Sequence, residues 1–598
     1  GLNFKANGEM LKWDYHPEHI DICKLILNKP LRAGESIQIS TPFFVKIPNA
    51  KFSRLGHVEQ SYMITQWYPK PAVYDKDGWH PMPYLDQGEF YSEFGSFDVS
   101  ITLPSNYTVG ATGDLQNKGE IARLNKLAEV TDTITKFSND MSFPLSDLST
   151  KTLRYIQHNV HDFGWFADKR FHVLKGEVEL PNTKEKVTLW TMFTNNEADL
   201  WKNSIEYMHD AVYYYSLWNG DYPYKQCTAV DGTISAGGGM EYPNVTVIGE
   251  SSTAIALEEV IMHEVGHNWF YGILAFNERD FPWMDEGINT FVQYIAEQDF
   301  GEKYPEAITP NKKYPSRRGP AKNIVGYMSG DQSQIAPIMT KGLNTYNFGA
   351  NGYSKPGTGL NILRETVMGR ELFDYSFKTY AQRWMFKHPS PEDFFRTMED
   401  ASAMDLDWFW RGWFYTTNVV DIGVGEVKKY FVTSKMTKEV EEMMTARGMK
   451  ESDLPPLVYL VEEGSDDFEE SMRTSSLDDV STLQEYIMDN LSPEEISKLK
   501  KPTFFYEVTF EKPGRLPMPI IAEYTYSDGS TERVTYPVQI WKTSDKSVGK
   551  VIASDKEITK IVVDPDEETA DVDTSNNSWP KQKKLGQFDS FKKDKVKN

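Results

Sequence analysis

The stretch HEVGHNWFYGILAFNERDFPWMDEG, residues 263–287, holds the residues that decide the fold and the chemistry of this chain. His263 and His267 stand four residues apart in a helical pattern, so both imidazoles project from one face of the helix. That spacing lets two ring nitrogens reach one zinc ion at about 2.0–2.1 Å. Glu264 lies about 100° further round the helix, where its carboxylate is expected to contact water rather than to bind the metal.

A third ligand is predicted at Glu286, which follows His267 after eighteen intervening residues. Glu286 opens the segment EGINTFVQYIAEQ, whose apolar residues keep helical spacing, so a second helix is expected to begin there. Two histidines and one glutamate leave a fourth position for water, which is typical of a catalytic rather than a structural zinc site. A helix with two surface histidines is the alternative, and it leaves the glutamate at the ligand distance unexplained.

Composition limits the other classes of function. The chain has 598 residues, enough for three or four domains, and 39% of them are hydrophobic, as in ordinary globular proteins. A formal net charge of −23 argues against a nucleic acid as partner, because a phosphate backbone would be repelled. The sequence contains no run of about 18 apolar residues and therefore predicts no transmembrane helix. Cys23 and Cys227 are interpreted as two buried thiols, which leaves the redox compartment open.

The pattern along the chain predicts several domains. Residues 1–150 alternate apolar and polar positions between turn residues and are expected to form a β domain. Residues 151–425 contain a patch of strands followed mainly by helices, which indicates α+β architecture. Residues 426–572 are expected to form a β-sandwich, interrupted at about 436–500 by a charged helical insertion. The polar, lysine-rich end, 573–598, is interpreted as a flexible basic tail.

HEVGHNW together with Glu286 of WMDEG resembles the aminopeptidase N and leukotriene hydrolase family of zinc metallopeptidases, the gluzincins, in a bacterial form. The family's G-x-M-E-N strand appears as GGGMEYPN, in which Gly238, Met240 and Glu241 match and Gly239 takes the variable position. Tyr242 stands where the family more often has Asn. The segment YSKPGTG is similar to the family's Y-x-K-G segment, with an extra proline.

The resemblance covers roughly residues 20–425 and implies a fold and an activity. The expected fold is an N-terminal β domain, short at its start, a thermolysin-like α+β zinc catalytic domain with a helical C-terminal half, and a C-terminal β-sandwich. The expected activity is that of an aminopeptidase with one zinc ion and with peptides carrying a free N-terminus as substrates. Bacterial relatives of this kind imply a location outside the cytoplasm, either periplasmic or secreted.

The chemistry of such a site assigns roles to its residues. Glu264 is expected to act as the general base and then to return the proton to the leaving amine. Glu241 is expected to bind the protonated N-terminal amine of the substrate by a charge-assisted hydrogen bond. Tyr353 in YSKPG is the expected donor to the oxyanion, with Tyr346 as the competing choice.

The residues around Glu241 complete the predicted substrate site. Gly238 and Gly239, with Met240 beside them, are expected to let the backbone approach the substrate closely. Gln60 is the expected further contact for the amine, from its position before Tyr68 and Pro69.

Two other functions stay open at this level. A thermolysin-type endopeptidase would use the same metal without binding an N-terminus, and a noncatalytic protein would keep the scaffold for binding alone. His158 and His161 have a spacing that fits one helix face, but they lack a further ligand pattern. They are interpreted as ordinary hydrogen-bonding residues.

Overall fold

The computed structural model describes residues 2–50, 54–85, 88–232, 238–303, 319–433, 438–450, 457–461, 485–498 and 503–581. These residues form two compact units with mixed β and helical content, so the chain is multidomain. The first unit consists of Gly1–Pro320 and Ser333–Trp410, and the second of Ala321–Gln332 and Arg411–Asn598. Across the part of the chain that the structure describes, no helix is long and apolar enough to cross a membrane.

Short strands dominate the N-terminal part of the first unit. They are β1 (Lys5–Ala6), β2 (Glu9–Met10), β3 (Lys12–Tyr15), β4 (Cys23–Ile26), β5 (Ile39–Ser40), β6 (Gly56–Val58), β7 (Ser61–Ile64), β8 (Val73–Asp75), β9 (Gly78–His80), β10 (Gly95–Pro104), β11 (Thr108–Ala111), β12 (Asp114–Leu115), β13 (Thr150–Val160) and β14 (Trp165–Asp168). One sheet has the order β10-β13-β12 and another the order β11-β14-β7-β6. Ile101, Val109 and Leu153 pack between these two sheets in one buried cluster.

The N-terminal β region extends beyond its expected end at residue 150. Strand β13 begins there and pairs with β10 over its whole length, from Pro104 opposite Thr150 to Gly95 opposite Val160. Strand β14 then pairs with β7 and β11. A boundary at 150 would therefore cut a continuous ladder, and the β region ends after Asp168. Helix α1 (Lys118–Asp132) within this region was not expected, and its Leu124 and Ala128 pack into the core.

A five-stranded mixed sheet follows and supports the functional residues. Its strands are β15 (His172–Glu179), β16 (Lys186–Phe193), β17 (Gln226–Asp231), β18 (Gly239–Tyr242) and β19 (Val245–Ile248). The order is β15-β16-β17-β19-β18, with parallel pairs β16/β17 and β17/β19, and antiparallel pairs at both ends. Among the described strands, β18 therefore lies at an edge of this sheet and pairs with β19 alone. Strand β16, with the sequence KVTLWTMF, belongs to the patch of strands expected in residues 151–425.

Helices make up most of the remaining chain in this region, as the apolar spacing predicts. The α-helices are α2 (Ala198–Trp201), α3 (Ser204–Asn219), α4 (Ala254–Gly266), α5 (Ile288–Lys303), α6 (Val325–Met328), α7 (Lys355–Ile362), α8 (Arg370–Trp384), α9 (Pro391–Ser402) and α10 (Asp407–Phe409). Wider π-helical turns occur at Trp283–Gly287, Gly349–Ser354, Leu363–Val367 and Trp410–Phe414. The first two of these turns carry candidate site residues.

The second unit is built from two four-stranded sheets. Its elements are β20 (Gly423–Thr433), α11 (Lys438–Arg447), β21 (Leu457–Val461), α12 (Pro493–Lys498), β22 (Thr503–Glu511), β23 (Ile520–Tyr526), β24 (Thr531–Tyr536), β25 (Ser547–Ser554), β26 (Ile558–Val563) and β27 (Ser578–Trp579). The sheets have the orders β21-β20-β22-β25 and β24-β23-β26-β27. They pack together through Tyr506, whose hydroxyl accepts the Ile558 N–H at 2.7 Å, and through the rings of Phe510 and Tyr536. The turn SDGS, residues 527–530, joins β23 to β24, with Gly529 at φ +82°.

Three expectations about the second unit need correction. The main segment of the unit begins at Arg411, before the expected boundary near 425, and Val420 bridges to Asp571 within it. The insertion at about 436–500 is not wholly helical, since β21 pairs with β20; its residues 436–437, 451–456, 462–484 and 499–500 lie outside the described part. The expected tail starts too early, because β27 pairs with β26, and only 582–598 lie outside the described part.

Asp571 gives the second unit a specific dependence on pH. It is 5% exposed, and its carboxylate accepts the N–H groups of Ile422 and Asp573 at 3.0 and 2.9 Å. Burial raises its pKa from 3.8 to about 6, and Asp421 and Asp564 add to the increase. The folded state therefore holds this proton more tightly than the unfolded state. Its stabilising contribution is complete below the unfolded pKa and is lost as pH rises through the folded pKa.

We therefore expect the substitution Asp571→Asn to stabilise the folded state more, relative to the wild type, at high pH than at low pH. Relative to the wild type, its melting temperature should be about 2–6 °C higher at pH 8 than at pH 4.5. Thermal unfolding at both pH values measures this double difference. Asp555→Asn, at an exposed carboxylate, is the control and should show a difference close to zero. A difference of the same size in both variants would contradict the assignment to Asp571.

Candidate active site

Helix α4 carries the two histidines at its C-terminal end. Thr253 caps the helix by accepting the Ala256 N–H on its side chain at 3.1 Å. The helix ends at Gly266, but His267 keeps helical dihedral angles of φ −62° and ψ −13°, and its N–H donates to the His263 carbonyl at 3.3 Å. His263 and His267 therefore stand one turn apart on the same face. Glu286 lies in the π-helical turn Trp283–Gly287 that leads into α5, so this helical segment starts three residues earlier than expected.

The side chains of His263, His267 and Glu286 converge on one point. His263 Nε2 lies 3.0 Å from His267 Nε2 and 3.2 Å from Glu286 Oε2. His267 Nε2 lies 3.3 Å from the same carboxylate oxygen. Ligands in a tetrahedral zinc site are about 3.3 Å apart when each metal bond is about 2.05 Å. The two nitrogens and one oxygen therefore fit the donor set, size and shape of a zinc site.

The other nitrogen of each imidazole is held by a neighbouring group. His263 Nδ1 lies 2.9 Å from Gln293 Oε1, and Asn289 donates to the His263 carbonyl at 2.8 Å. His267 Nδ1 lies 2.6 Å from Asp285 Oδ1 and also contacts the Phe270 carbonyl. Such contacts fix the tautomer and orientation of a ligand histidine.

Sequence reasoning missed these supporting residues. Asn289 and Gln293 follow Glu286 by three and seven residues and so share its helix face, a spacing that would have revealed them.

Negative charge surrounds the two histidines. Burial alone would lower the pKa of His267, but Asp285, Glu241 and Glu286 raise it well above its usual value. Burial alone would raise the pKa of Glu286, but the two imidazoles bring it well below its usual range. The first shift favours a positive imidazole and the second a negative carboxylate, so acidic groups and positive charge stabilise one another in this cluster. The site is therefore suited to a cation.

Glu264 lies close to this centre and is 6% exposed. Its Oε2 atom is buried and has no hydrogen-bond partner. Burial raises the pKa of Glu264 well above its usual value, and the neighbouring Glu241 raises it further. A carboxylate that binds a proton readily and has a free oxygen is suited to accept a proton from water. Glu264 therefore lies within electrostatic reach of Glu241, His267 and Glu286, and its role as the general base stays a prediction.

Strand β18 brings Glu241 to the same place. The hairpin between β18 and β19 turns at Asn244, which has φ +62° and donates its N–H to Asn268 Oδ1 at 3.0 Å. Because Asn268 follows His267, this hydrogen bond connects the β18–β19 hairpin to the C-terminal end of helix α4. Glu241 is buried with Oε1 unpartnered. Burial, with Glu89 and Glu286 nearby, raises its pKa to about 8 against the lowering effect of His267.

The neighbours of Glu241 separate into two groups. Met240 is 6% exposed and its side chain packs in the hydrophobic core, so the structure does not bring it into the site as predicted. Alternation along the strand explains this, because residues 240 and 242 face away from residues 239 and 241. Gly238 is exposed and Gly239 half-buried, and both lie on the side of α4.

Tyr353 lies on the other side of the metal cluster, in the π-helical turn Gly349–Ser354. Its hydroxyl donates to Glu286 Oε1 at 2.6 Å, and its ring stacks on His263 with centroids 6.0 Å apart. Burial raises its pKa well above the usual value, and Glu286 adds to the increase. The phenol therefore keeps its proton and can donate it. Tyr346, the competing choice, is 78% exposed.

Gln60 is not brought to the site. Its side chain is on the surface and accepts from Lys169, and its carbonyl accepts the Tyr107 hydroxyl at 3.2 Å. The prediction for Gln60 came from counting along a pattern that the chain does not keep, and the turn between β6 and β7 faces elsewhere. Glu89, which sequence reasoning missed, affects the pKa of Glu241 instead.

Glu89 belongs to a buried network of charges beside Glu241. Its carboxylate pairs with Arg54, its N–H donates to Glu278, and its carbonyl accepts from Arg279 Nε at 3.2 Å. Residues 89 and 278 are 189 positions apart, and no local spacing signals their contact.

His158 and His161 do not share a helix. His158 lies in β13 and its Nδ1 is 2.8 Å from Ser96 Oγ, which agrees with an ordinary hydrogen-bonding role. His161 is buried without a partner at Nε2, and its ring lies 4.6 Å from that of Tyr271. Burial lowers its pKa to about 4. Neither histidine joins the metal cluster.

Two histidines in an H-E-x-x-H helix with a distant glutamate define the gluzincin class of metal site. Residues 202–413 match the Peptidase family M1 domain. The chain therefore carries an M1 peptidase domain, and the resemblance to the aminopeptidase N and leukotriene hydrolase family is confirmed.

Individual relatives are distant. Over 260 residues the chain is 22% identical to aminopeptidase 2 of Candida albicans, covering 39% of this chain and 28% of that protein. Over 163 residues it is 25% identical to glutamyl aminopeptidase of Bos taurus, covering 26% and 16%. The structure of Legionella pneumophila aminopeptidase A in complex with aspartic acid matches with a TM-score of 0.54 and 12% identity, covering 93% of this chain and 51% of that one. The chain thus spans less than a third of these two curated relatives, and the structural match concerns the fold.

Asp285 provides a test of the metal cluster. Replacing it by Asn would leave the ring of His267 in place but weaken its orientation and basicity, so zinc affinity should fall about 10–100-fold. Competition with a chromogenic chelator measures the dissociation constant. Asp280→Asn in the same loop, where Asp280 pairs with Lys341 at 2.8 Å, is the matched control and should bind zinc as the wild type does. Unchanged affinity in Asp285→Asn would contradict this role.

Proposed function

We propose that this protein is a zinc-dependent aminopeptidase that hydrolyses the N-terminal residue from peptides with a free amine. The observation that carries the proposal is the buried, unpartnered carboxylate oxygen of Glu241 beside the cluster of His263, His267 and Glu286. A buried acid without a cation nearby is costly, and a protonated amine would satisfy it. Binding of the amine at Glu241 would align the first peptide bond with the cluster and exclude longer N-terminal extensions.

The residues of the chain divide the work of hydrolysis among them. His263, His267 and Glu286 would hold one zinc ion, which supplies Lewis-acid chemistry when bound. Glu264 takes a proton from the attacking water onto its carboxylate and delivers it to the leaving amine nitrogen. Tyr353 keeps its phenol proton and donates a hydrogen bond to the negative oxygen that develops on the carbonyl. Glu241 holds the amine so that the substrate carbonyl is correctly oriented.

The domain layout proposed for this function follows the family. The β region up to Asp168 would be the N-terminal domain, the mixed sheet with its helices the thermolysin-like catalytic domain, and the two four-stranded sheets of the second unit the C-terminal β-sandwich. This assignment is supported by the strand orders and by the M1 match over residues 202–413. A location outside the cytoplasm stays a prediction that rests on resemblance.

A matched pair of peptides tests the proposed function. One peptide has a free N-terminus and the other is acetylated, and mass spectrometry follows both with and without a zinc chelator. We expect cleavage of the free peptide only, after its first residue, and loss of cleavage on chelation. Glu264→Gln protein, purified in the same way, should cleave neither peptide and controls for contaminating peptidases.

The other outcomes of the peptide experiment are equally informative. Cleavage of both peptides would show a thermolysin-type endopeptidase and would contradict the role of Glu241. Cleavage of neither peptide by zinc-loaded protein would show a noncatalytic scaffold.

Tyr353→Phe separates a role in chemistry from a role in metal binding. The change removes the phenol donor but keeps the ring against His263, so kcat should fall about 10²–10³-fold while KM and zinc affinity change little. Steady-state kinetics and chelator competition measure these quantities. Tyr346→Phe is the matched control and should behave as the wild type. If zinc affinity fell in parallel with kcat, the hydroxyl would act through its bond to Glu286 instead.

A further inference from the structure

The carboxylate of Glu264 occupies the space in which a side chain of residue 239 would stand. A Cβ atom built on Gly239 would lie 2.3 Å from Glu264 Oε1, and 2.4 Å from both Cδ and Cγ. These separations are far below van der Waals contact, and they involve the middle of the Glu264 side chain as well as its end. Gly239 has no positive φ, so its backbone conformation does not require glycine. Space for Glu264 is the reason for glycine at this position.

Strand geometry explains why the two residues meet. Residues 239 and 241 of β18 project from the same side of the strand, the side that also presents Glu241 to the metal cluster. Gly239 pairs with Ile248 and Glu241 with Thr246. The register of the hairpin therefore fixes the positions of Gly239 and Glu241 along the strand beside α4. The absent side chain at 239 therefore leaves a slot next to Glu241, and Glu264 fills it.

Among the described residues, no hydrogen bond holds the Oε2 atom of the Glu264 carboxylate. Glu264 Oε2 is buried and unpartnered, so packing rather than a hydrogen bond limits its position there. A displacement of about 1 Å in a reacting group costs on the order of 10²-fold in rate. Any atom added at residue 239 would impose a displacement of this size on the general base.

We propose that Gly239 is a positioning residue that sets the place of the Glu264 carboxylate. The position is variable in the family motif, but in this chain its lack of a side chain is needed for the catalytic geometry. The kinetic part of this inference rests on the proposed function, whereas the steric part does not. The neighbouring Gly238 differs, because a Cβ there would meet only Val260 at 3.7 Å, an ordinary contact.

Thermal unfolding tests the steric part without reference to activity. Gly239→Ala should lower the melting temperature by about 2–6 °C in the wild type and in Glu264→Gln, whose side chain has the same shape. Glu264→Ala removes Cγ, Cδ and both oxygens and so leaves this space empty. In that background, Gly239→Ala should not lower the melting temperature. Gly238→Ala is the matched control, and its effect on the melting temperature should not depend on residue 264.

Kinetics test the consequence for catalysis. Gly239→Ala should lower kcat about 10–100-fold with KM changed less than about threefold and with zinc content unchanged. A fall in kcat alone, without a change in melting temperature, would mean that the carboxylate has moved aside and supports the inference. An unchanged kcat together with an unchanged melting temperature would overturn it. So would a thermal cost that is equal in the Glu264→Ala background.

The two proposals fail in different ways. If the wild type cleaved neither peptide, the proposed function would be wrong, yet the dependence of the Gly239→Ala thermal cost on residue 264 would still decide the contact.

Discussion

The concentration of carboxyl groups in a buried space is the constraint on which this structure depends. Asp285, Glu241, Glu264 and Glu286 surround two imidazoles; the first three are buried and Glu286 is half-buried. Charges of one sign in such surroundings are stable only where a cation, a proton or a fixed hydrogen bond compensates them. The raised pKa values of Glu241 and Glu264 show that negative charge on these two carboxyl groups is poorly compensated. A divalent metal and a protonated amine are two cations that would compensate these charges.

Three secondary-structure elements fix the positions of these carboxyl groups and imidazoles relative to one another. Helix α4, the π-helical turn before α5, and edge strand β18 each contribute one part, and direct hydrogen bonds join them. Asn289 links α5 to the carbonyl of His263, and Asn268 links α4 to the β18–β19 hairpin. Both bonds are made by side-chain amides to backbone groups, which fix orientation as well as distance. The site is therefore shaped by polar contacts between elements that separately pack into the core.

Sequence patterns predicted the parts of the site that depend on local spacing. The interval between His263 and His267 and the distance to Glu286 were enough to place three converging side chains, and the motif resemblance led to Tyr353. Helix α1 was missed, although Leu124 and Ala128 keep helical spacing, because the surrounding segments alternate like strands.

Contacts between distant segments could not be obtained in this way. Glu89 reaches Glu278 across 189 residues, and Gln60 was chosen by counting where the local pattern departs from the family. The space shared by Gly239 and Glu264 is likewise a property of packing, invisible in a motif that treats position 239 as free.

Strand β18 has one consequence for the evolution of specificity. Within the described part of the chain it pairs with β19 alone, through four residue pairs, so few backbone contacts resist a change in its register. A slip of two residues would keep the same face toward α4 and move Glu241 by about 6.8 Å along the strand. The three converging ligands, which come from a separate continuous segment, would remain intact. In the proposed function, recognition of the substrate amine and the holding of the metal would thus rest on different segments of the polypeptide, and selection could alter the first while preserving the second.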